Sequence, residues 1–222
     1  MNKIVVADLM THPVVTVSPA TPFKNLVAIL TEYKIGSVPV LDGHGHPIGV
    51  VSESDLLAKE EQRGGAGNPP SLLSSPRRWR RWGKGRGTTA GDVMTRRVRT
   101  VSRSEPIAVA AQKMLREGLR RLYVVDGSGR LAGVLARRDV LHVFLRPDEE
   151  LREEIERTVL QRCLWADPAR TSVRVRDGEV TLTGEVELRS EGRRAVRLIE
   201  AIPGVVAVYD ELRFAVDDVV RT

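Results

Sequence analysis

Residues 49–55 read GVVSESD and residues 133–139 read GVLARRD. Each places a glycine, two apolar residues and one variable residue before an aspartate three positions further on. The offset of 84 residues, from Gly49 to Gly133, carries the surrounding chain with it. Asp8 and Met10 of ADLMT fall on Asp92 and Met94 of GDVMT, and Thr16-Val17-Ser18 falls on Thr100-Val101-Ser102. Pro22 falls on Pro106, and Val40-Leu41-Asp42-Gly43 on Val124-Val125-Asp126-Gly127. No gap is needed, so the chain is read as an internal duplication.

Each copy carries the same coarse pattern. VVTVS and RVRTVS are short β-rich runs. After Pro22, Phe23, Val27 and Leu30 recur at helical spacing; after Pro106, Ile107, Ala111 and Met114 do the same. SVPVLD and RLYVVD predict strands ending in the turns DGHGHP and DGSGR, with PIGVVS and LAGVLA returning. ESDLLAKE and RRDVLHVF open short helices. The unit is strand–helix–strand–strand–helix. At ~60 residues it is small for a core of its own, so the two copies are expected to pack on each other.

The formal net charge of +6 is concentrated in one place. Residues 77–86, RRWRRWGKGR, hold Arg77, Arg78, Arg80, Arg81, Lys84 and Arg86 with no acid, which equals the whole excess. Glycine, proline, serine and arginine dominate 63–87, which is expected to be an unordered basic linker between repeats at 1–62 and 88–146. No apolar run approaches the ~20 residues that span a bilayer, and no leader is recognised. A single cysteine, Cys163, suits a reducing cytoplasm, and its simplest reading is a small core residue on a helix.

The remainder, 147–217, has a different order. Asp148 can cap a helix whose Leu151, Ile155 and Val159 are spaced by four. TSVRVRDGEVTLTGEV alternates apolar and polar residues about Asp177-Gly178, a strong hairpin signal. Ala195, Leu198, Ile199 and Ile202 form a helical stripe stopped by Pro203-Gly204, and VVAVYDELRF closes as a strand. The fold class is α/β (α+β): a pseudo-symmetric pair of repeats followed by a small helix–strand–strand–helix–strand domain.

The doubled unit resembles the CBS domain, found in tandem pairs called Bateman modules. The resemblance rests on (A/G)D(L/V)MT, the Thr-Val before the helix, SVPV before a turn, and the closing glycine-to-aspartate phrase. The last section resembles the BON domain, through VRVRDGEVTLTGEV and IPGVVAV. The first resemblance implies a non-catalytic regulatory protein. It implies an adenine nucleotide (AMP, ADP, ATP or a related adenosyl ligand) in the cleft between repeats as regulatory ligand, with no required cofactor, and a homodimer.

Carried over residue by residue, it implies that Asp55 holds a ribose diol and Ser52 a phosphate, with Thr16 and the backbone of Ser37, Val38 and Pro39 lining the base. Gly49 would let the backbone approach the ligand. In the second copy it implies Asp139 for the ribose and Thr100, Leu122 and Val124 near the base. There Ala136 replaces the hydroxyl, Arg121 and Tyr123 replace Ser37 and Pro39, and Arg137 and Arg138 stand ready for phosphate. Spacing by itself leaves another reading open: Ser52 and Asp55 cap the helix that follows. The alternative for the second copy is a degenerate site that binds nothing.

Other features carry less. His44 and His46 are read as an exposed turn, not as metal ligands, because no acidic or cysteine partner is spaced with them. No nucleophile elbow, Cys–His arrangement or P-loop is present. The run 77–86 is read first as a solvated spacer. Arg77, Arg78, Trp79, Arg80, Arg81 and Trp82 could instead meet phospholipid or nucleic acid, or the run could reach into the nucleotide cleft. The phospholipid or nucleic-acid contact defines an alternative, in which the repeats merely dimerise and the linker or BON domain binds an anionic surface.

Overall fold

A computed structural model describes residues 4–61, 69, 74–161 and 170–219. Cys163 and much of 63–73 lie outside the described residues. The chain divides into two compact units, Val5–Ala136 and Arg137 onward, the latter including the first four residues.

In the first unit the duplication is visible element by element. Repeat 1 runs α1 (Val6–Leu9), α2 (Phe23–Glu32), β1 (Ser37–Leu41), β2 (Pro47–Ser52) and α3 (Glu53–Glu61). A further helix, α4 (Pro76–Arg86), precedes repeat 2, which runs α5 (Ala90–Val93), β3 (Thr100–Ser102), α6 (Ile107–Arg116), β4 (Arg121–Val125) and β5 (Leu131–Ala136). β1–β2 and β4–β5 are antiparallel hairpins, and β3 joins β4 in parallel. The cores are aliphatic: Val17, Leu26, Val38, Val40 and Val51 bury with Ala90, Val93 and Met94 from across the repeat boundary.

The opening strand of repeat 1, expected at 14–18, is reduced to a bridge of Val17 to Val40. The reason is Pro39. In repeat 2 the Tyr123 amide donates to Arg99 O at 2.9 Å and extends the ladder; a proline at the equivalent position has no N–H to give.

The repeats exchange their opening segments. Thr11 and Val134 trade backbone hydrogen bonds, as Thr95 and Val50 do at the equivalent positions. Val6 and Ala7 amides donate to Glu105 and Arg103 carbonyls; Ala90 and Gly91 amides donate to Thr21 and Pro19. Asp8 and Asp92 cap the two short helices, accepting the Val5 and Thr89 amides at 2.9 Å each. Each hairpin is thus completed by the other repeat's N-terminal arm.

Residues 76–86 are helical rather than unordered. Pro76 sits at the helix start, where its missing N–H costs nothing. Trp79 and Trp82 stack edge to face at 5.8 Å. Arg81 pairs with Glu61, and Lys84 with Asp55 on α3. Glycines that read as disorder in the sequence permit close approach here: Gly85 and Gly87 are buried, and a β-carbon on Gly87 would meet Val93 Cγ1 at 2.6 Å.

The second unit contains α7 (Arg137–Leu141), α8 (Asp148–Ile155), a π-turn (Glu156–Leu160), β6 (Thr171–Arg176), β7 (Glu179–Leu188), α9 (Arg189–Glu200) and β8 (Ala207–Val216). The sheet order is β6-β7-β8, with β7–β8 parallel around α9. Leu151, Ile155, Val159, Val180, Leu182, Ala195 and Ile199 form its core. Asp148 does not cap its own helix. Its carboxylate accepts the Asp177 and Gly178 amides at 2.7 and 2.9 Å, clamping the hairpin turn whose positive φ angles (52° and 75°) the Asp-Gly pair supplies.

Candidate functional site

β2 delivers Ser52 to the start of α3, and Asp55 lies in that helix's first turn. Asp55 Oδ2 accepts the Ser52 amide at 2.8 Å and the Ser52 hydroxyl at 2.6 Å, so Asp55 satisfies the amide at the helix start and holds the serine side chain. The other oxygen is held as well. Lys84 Nζ, reaching down from α4, donates to Asp55 Oδ1 at 2.6 Å and to Thr95 Oγ1 at 2.7 Å. Both charged side chains are nearly buried, at 14% exposure for Asp55 and 16% for Lys84.

This ion pair lies in a cleft of about 1160 Å³ formed by α3, α4, α5 and the segment after Met94. Six cations line it (Arg77, Arg81, Lys84, Arg86, Arg96 and Arg97) against two carboxylates, Asp55 and Asp92. Asp92 is engaged by the Thr88 and Thr89 amides and hydroxyls, the Thr88 amide foremost, which hold its carboxyl below the ordinary 3.8. The walls therefore present an excess of positive charge to anything that enters.

The remaining expected residues are placed differently. Thr16 is exposed, and neither it nor Ser37, Val38 or Pro39 lines this cleft. Val38 is fully buried in the core. The Ser37 hydroxyl is taken by Arg121 NH1 at 2.7 Å and by Tyr123 Oη at 3.1 Å. Residues assigned from sequence to separate sites thus bond to one another across the repeats. Leu122 and Val124 are fully buried, leaving only their backbone to offer, and Thr100 is the strand partner of Tyr123. Asp139 lies in the first turn of α7 and is 9% exposed, with Arg138 Nε at 3.6 Å.

Gly49 and Gly133 are accounted for by packing. A β-carbon on Gly49 would meet Met94 Cγ at 2.8 Å, and one on Gly133 would meet Met10 Cγ at 2.9 Å, so each glycine makes room for a methionine of the other repeat's arm. His44 and His46 are also structural. Asp42 Oδ1 accepts both their amides at 2.9 Å, and the His46 ring extends to Ser128 O, 3.2 Å away, in the matching turn of repeat 2. Among the described residues no His, Cys, Asp or Glu cluster is placed to hold a metal, and no helix is long and apolar enough to cross a membrane.

Of the arginine–tryptophan segment, Arg77 and Arg81 face the cleft, Arg78 is exposed, and Trp82 carries Arg86 over its ring at 5.1 Å. The Arg80 side chain lies outside the described residues. Sequence reasoning missed Thr95, Arg96 and Arg97 as cleft residues, and reached Lys84 only through the minor reading in which the basic run enters the cleft. A signal existed: at the positions of Arg96 and Arg97 the first copy has His12 and Pro13.

Comparison with known proteins matches the CBS domain family at residues 6–61 and 90–146 and the BON domain at 147–216. CBS domain-containing protein CBSX2 (chloroplastic) of Arabidopsis thaliana is 32% identical over 155 residues, 65% of each chain. An uncharacterized protein of Methanopyrus kandleri is 29% identical over 143 residues, 64% of each. The chain therefore spans just under two thirds of either relative's length. The crystal structure of CBSX2 in complex with AMP superposes with a TM-score of 0.55 at 31% identity, covering 64% of this chain and 97% of that one.

Proposed function

Because the chain belongs to the CBS-domain family and carries a BON domain at its C-terminal end, we propose that it is a regulatory protein that binds an adenine nucleotide at the Asp55 cleft. The observation that carries this reading is the Asp55 carboxylate in a cleft of about 1160 Å³ whose six cations outnumber its two carboxylates. A carboxylate accepts two hydrogen bonds from a ribose diol, and arginines bind phosphate oxygens with paired N–H groups. The AMP carried by the CBSX2 structure is a ligand of that chemistry.

The role is regulatory rather than catalytic. Ligand acts by unequal affinity for two arrangements of α4 and the repeats, and the BON domain carries the change to a partner. The proposal is confined to the Asp55 cleft, since Ala136 offers no hydroxyl where Ser52 offers two donors to Asp55. Homodimerisation through the tandem pair belongs to the same proposal.

Calorimetric titration of the full chain with AMP and ATP tests it, with Asp55→Ala as control. Measurable binding that the substitution weakens severely is expected. Absence of heat with every adenine ligand overturns the reading, and binding unchanged in the variant moves the site elsewhere.

A further inference from the structure

The Asp55 carboxylate is not free for a sugar as it stands. Both of its oxygens are engaged, Oδ2 by Ser52 and Oδ1 by Lys84. Lys84 occupies one of the two acceptor sites of Oδ1, so a ribose diol competes with it there and takes the oxygen fully only if Lys84 lets go. An ammonium at 16% exposure that loses its carboxylate must find another anion or remain unpaired among five arginines, which is costly at low dielectric. The ligand itself has to supply the replacement charge.

Resting on the nucleotide reading of this cleft, we propose that it selects polyphosphorylated nucleotides, with Lys84 as the gate. Lys84 leaves Asp55 Oδ1 for the phosphate chain, which frees Oδ1 for the sugar diol. No covalent step is involved. Adenosine brings no charge to hold Lys84, and the sulfonium of S-adenosylmethionine adds a cation to a wall already rich in them. A monophosphate compensates Lys84 alone, whereas a longer chain also reaches the exposed Arg77, Arg96 and Arg97. Arg81 and Arg86 are held by Glu61 and Trp82, so they shape the field more than they move. Since α4 carries Lys84 and docks on α3 partly through this ion pair, transfer of Lys84 to the ligand changes how α4 is held.

The test is calorimetry on the full chain with adenosine, AMP, ATP, S-adenosylmethionine and inorganic tripolyphosphate. ATP is expected to bind at least about tenfold tighter than AMP, and AMP tighter than adenosine, with the spread narrowing as salt rises. Lys84→Ala should flatten this ladder, strengthening adenosine because Asp55 is freed and weakening ATP; Lys84→Arg should preserve it. If Lys84→Ala does not fold, Arg96→Ser combined with Arg97→Ser at exposed positions should lower the ATP-to-adenosine ratio by about tenfold. Equal affinities for adenosine and ATP, or S-adenosylmethionine binding more tightly than ATP, would overturn the inference and leave the adenine site standing. Tripolyphosphate binding as tightly as ATP, with adenosine inert, would uphold the anion gate and sink the adenine reading. No heat from any probe sinks both.

Discussion

Arg121 and Ser37 occupy the same position in the two repeats, yet they bond to each other: Arg121 NH1 donates to Ser37 Oγ at 2.7 Å. The pseudo-symmetry axis passes between them, and a hydroxyl on one side is answered by a guanidinium on the other. Tyr123, standing where Pro39 stands in repeat 1, adds its hydroxyl at 3.1 Å from the same oxygen. Divergence between the copies has produced a polar lock across the interface.

That lock predicts a graded loss of stability. Arg121→Ala leaves two partly buried hydroxyls with only each other and should cost about 1–3 kcal/mol in denaturant unfolding. Tyr123→Phe keeps the stronger Arg121–Ser37 bond and should cost about 1 kcal/mol or less. Equal losses for the two would show that the arginine contributes no more than its packing.

Tyr123 also sets an alkaline limit. Burial pushes its phenol above the ordinary 10.0, against the opposing pull of Ser37 and Arg121. A raised pKa in the folded state means that the folded chain favours the neutral phenol. Its contribution is fully present below pH 10 and is lost as pH rises through the folded value. Ultraviolet titration should find a phenol that ionises above the ordinary range and is missing from the titration of Tyr123→Phe. Tyr123→Phe should flatten the stability loss above pH 10.

Acid acts through Asp92 with the opposite sign. Amide and hydroxyl donors from Thr88 and Thr89 hold its carboxyl below 3.8, so its contribution is present above that value and disappears as pH falls through the folded pKa. Asp92→Asn should show a shallower decline in melting temperature below pH 4 than the unsubstituted chain. A parallel decline would mean that the α5 cap adds nothing to acid stability.

Gly49→Ala and Gly133→Ala should each destabilise by about 1–3 kcal/mol, because Met94 and Met10 fill the space a methyl group needs. Pairing Gly49→Ala with Met94→Ala should return part of the loss, and a double-mutant cycle measures how much. Additive losses would place the cause in the backbone rather than in this contact.

Asp148→Ala removes the acceptor for the Asp177 and Gly178 amides. It should cost about 1–2 kcal/mol, with hydrogen exchange accelerated at Gly178. Unchanged protection there would show that the turn holds its shape without the clamp.

Most of the architecture was legible because its signals are local. Hydrophobic spacing gave α2 and α6, and Asp177-Gly178 gave the β6–β7 hairpin. The fixed offset of 84 gave the repeat. What could not be read depends on partners distant in sequence. Gly49 follows the rule for a glycine near a ligand and for a glycine under a methionine equally well; only the exchanged arm decides between them. Helix α4 was missed because its composition has no apolar stripe, and its order comes from ion pairs to Glu61 and Asp55 and from glycines that permit close packing. The bond between Asp55 and Ser52 follows from their spacing, whereas the pairing of Asp55 with Lys84 could not be read, because nothing local links the two residues.

The traded arms bear on how such a chain could have arisen. A lone repeat would own one arm and one vacant groove that its own arm cannot reach, and the two complement each other only in a second molecule. Thr11 with Val134 and Thr95 with Val50 are equivalent halves of such a handshake. An excised half would therefore close around a twin with two-fold symmetry, and fusion of two twins end to end yields the present arrangement.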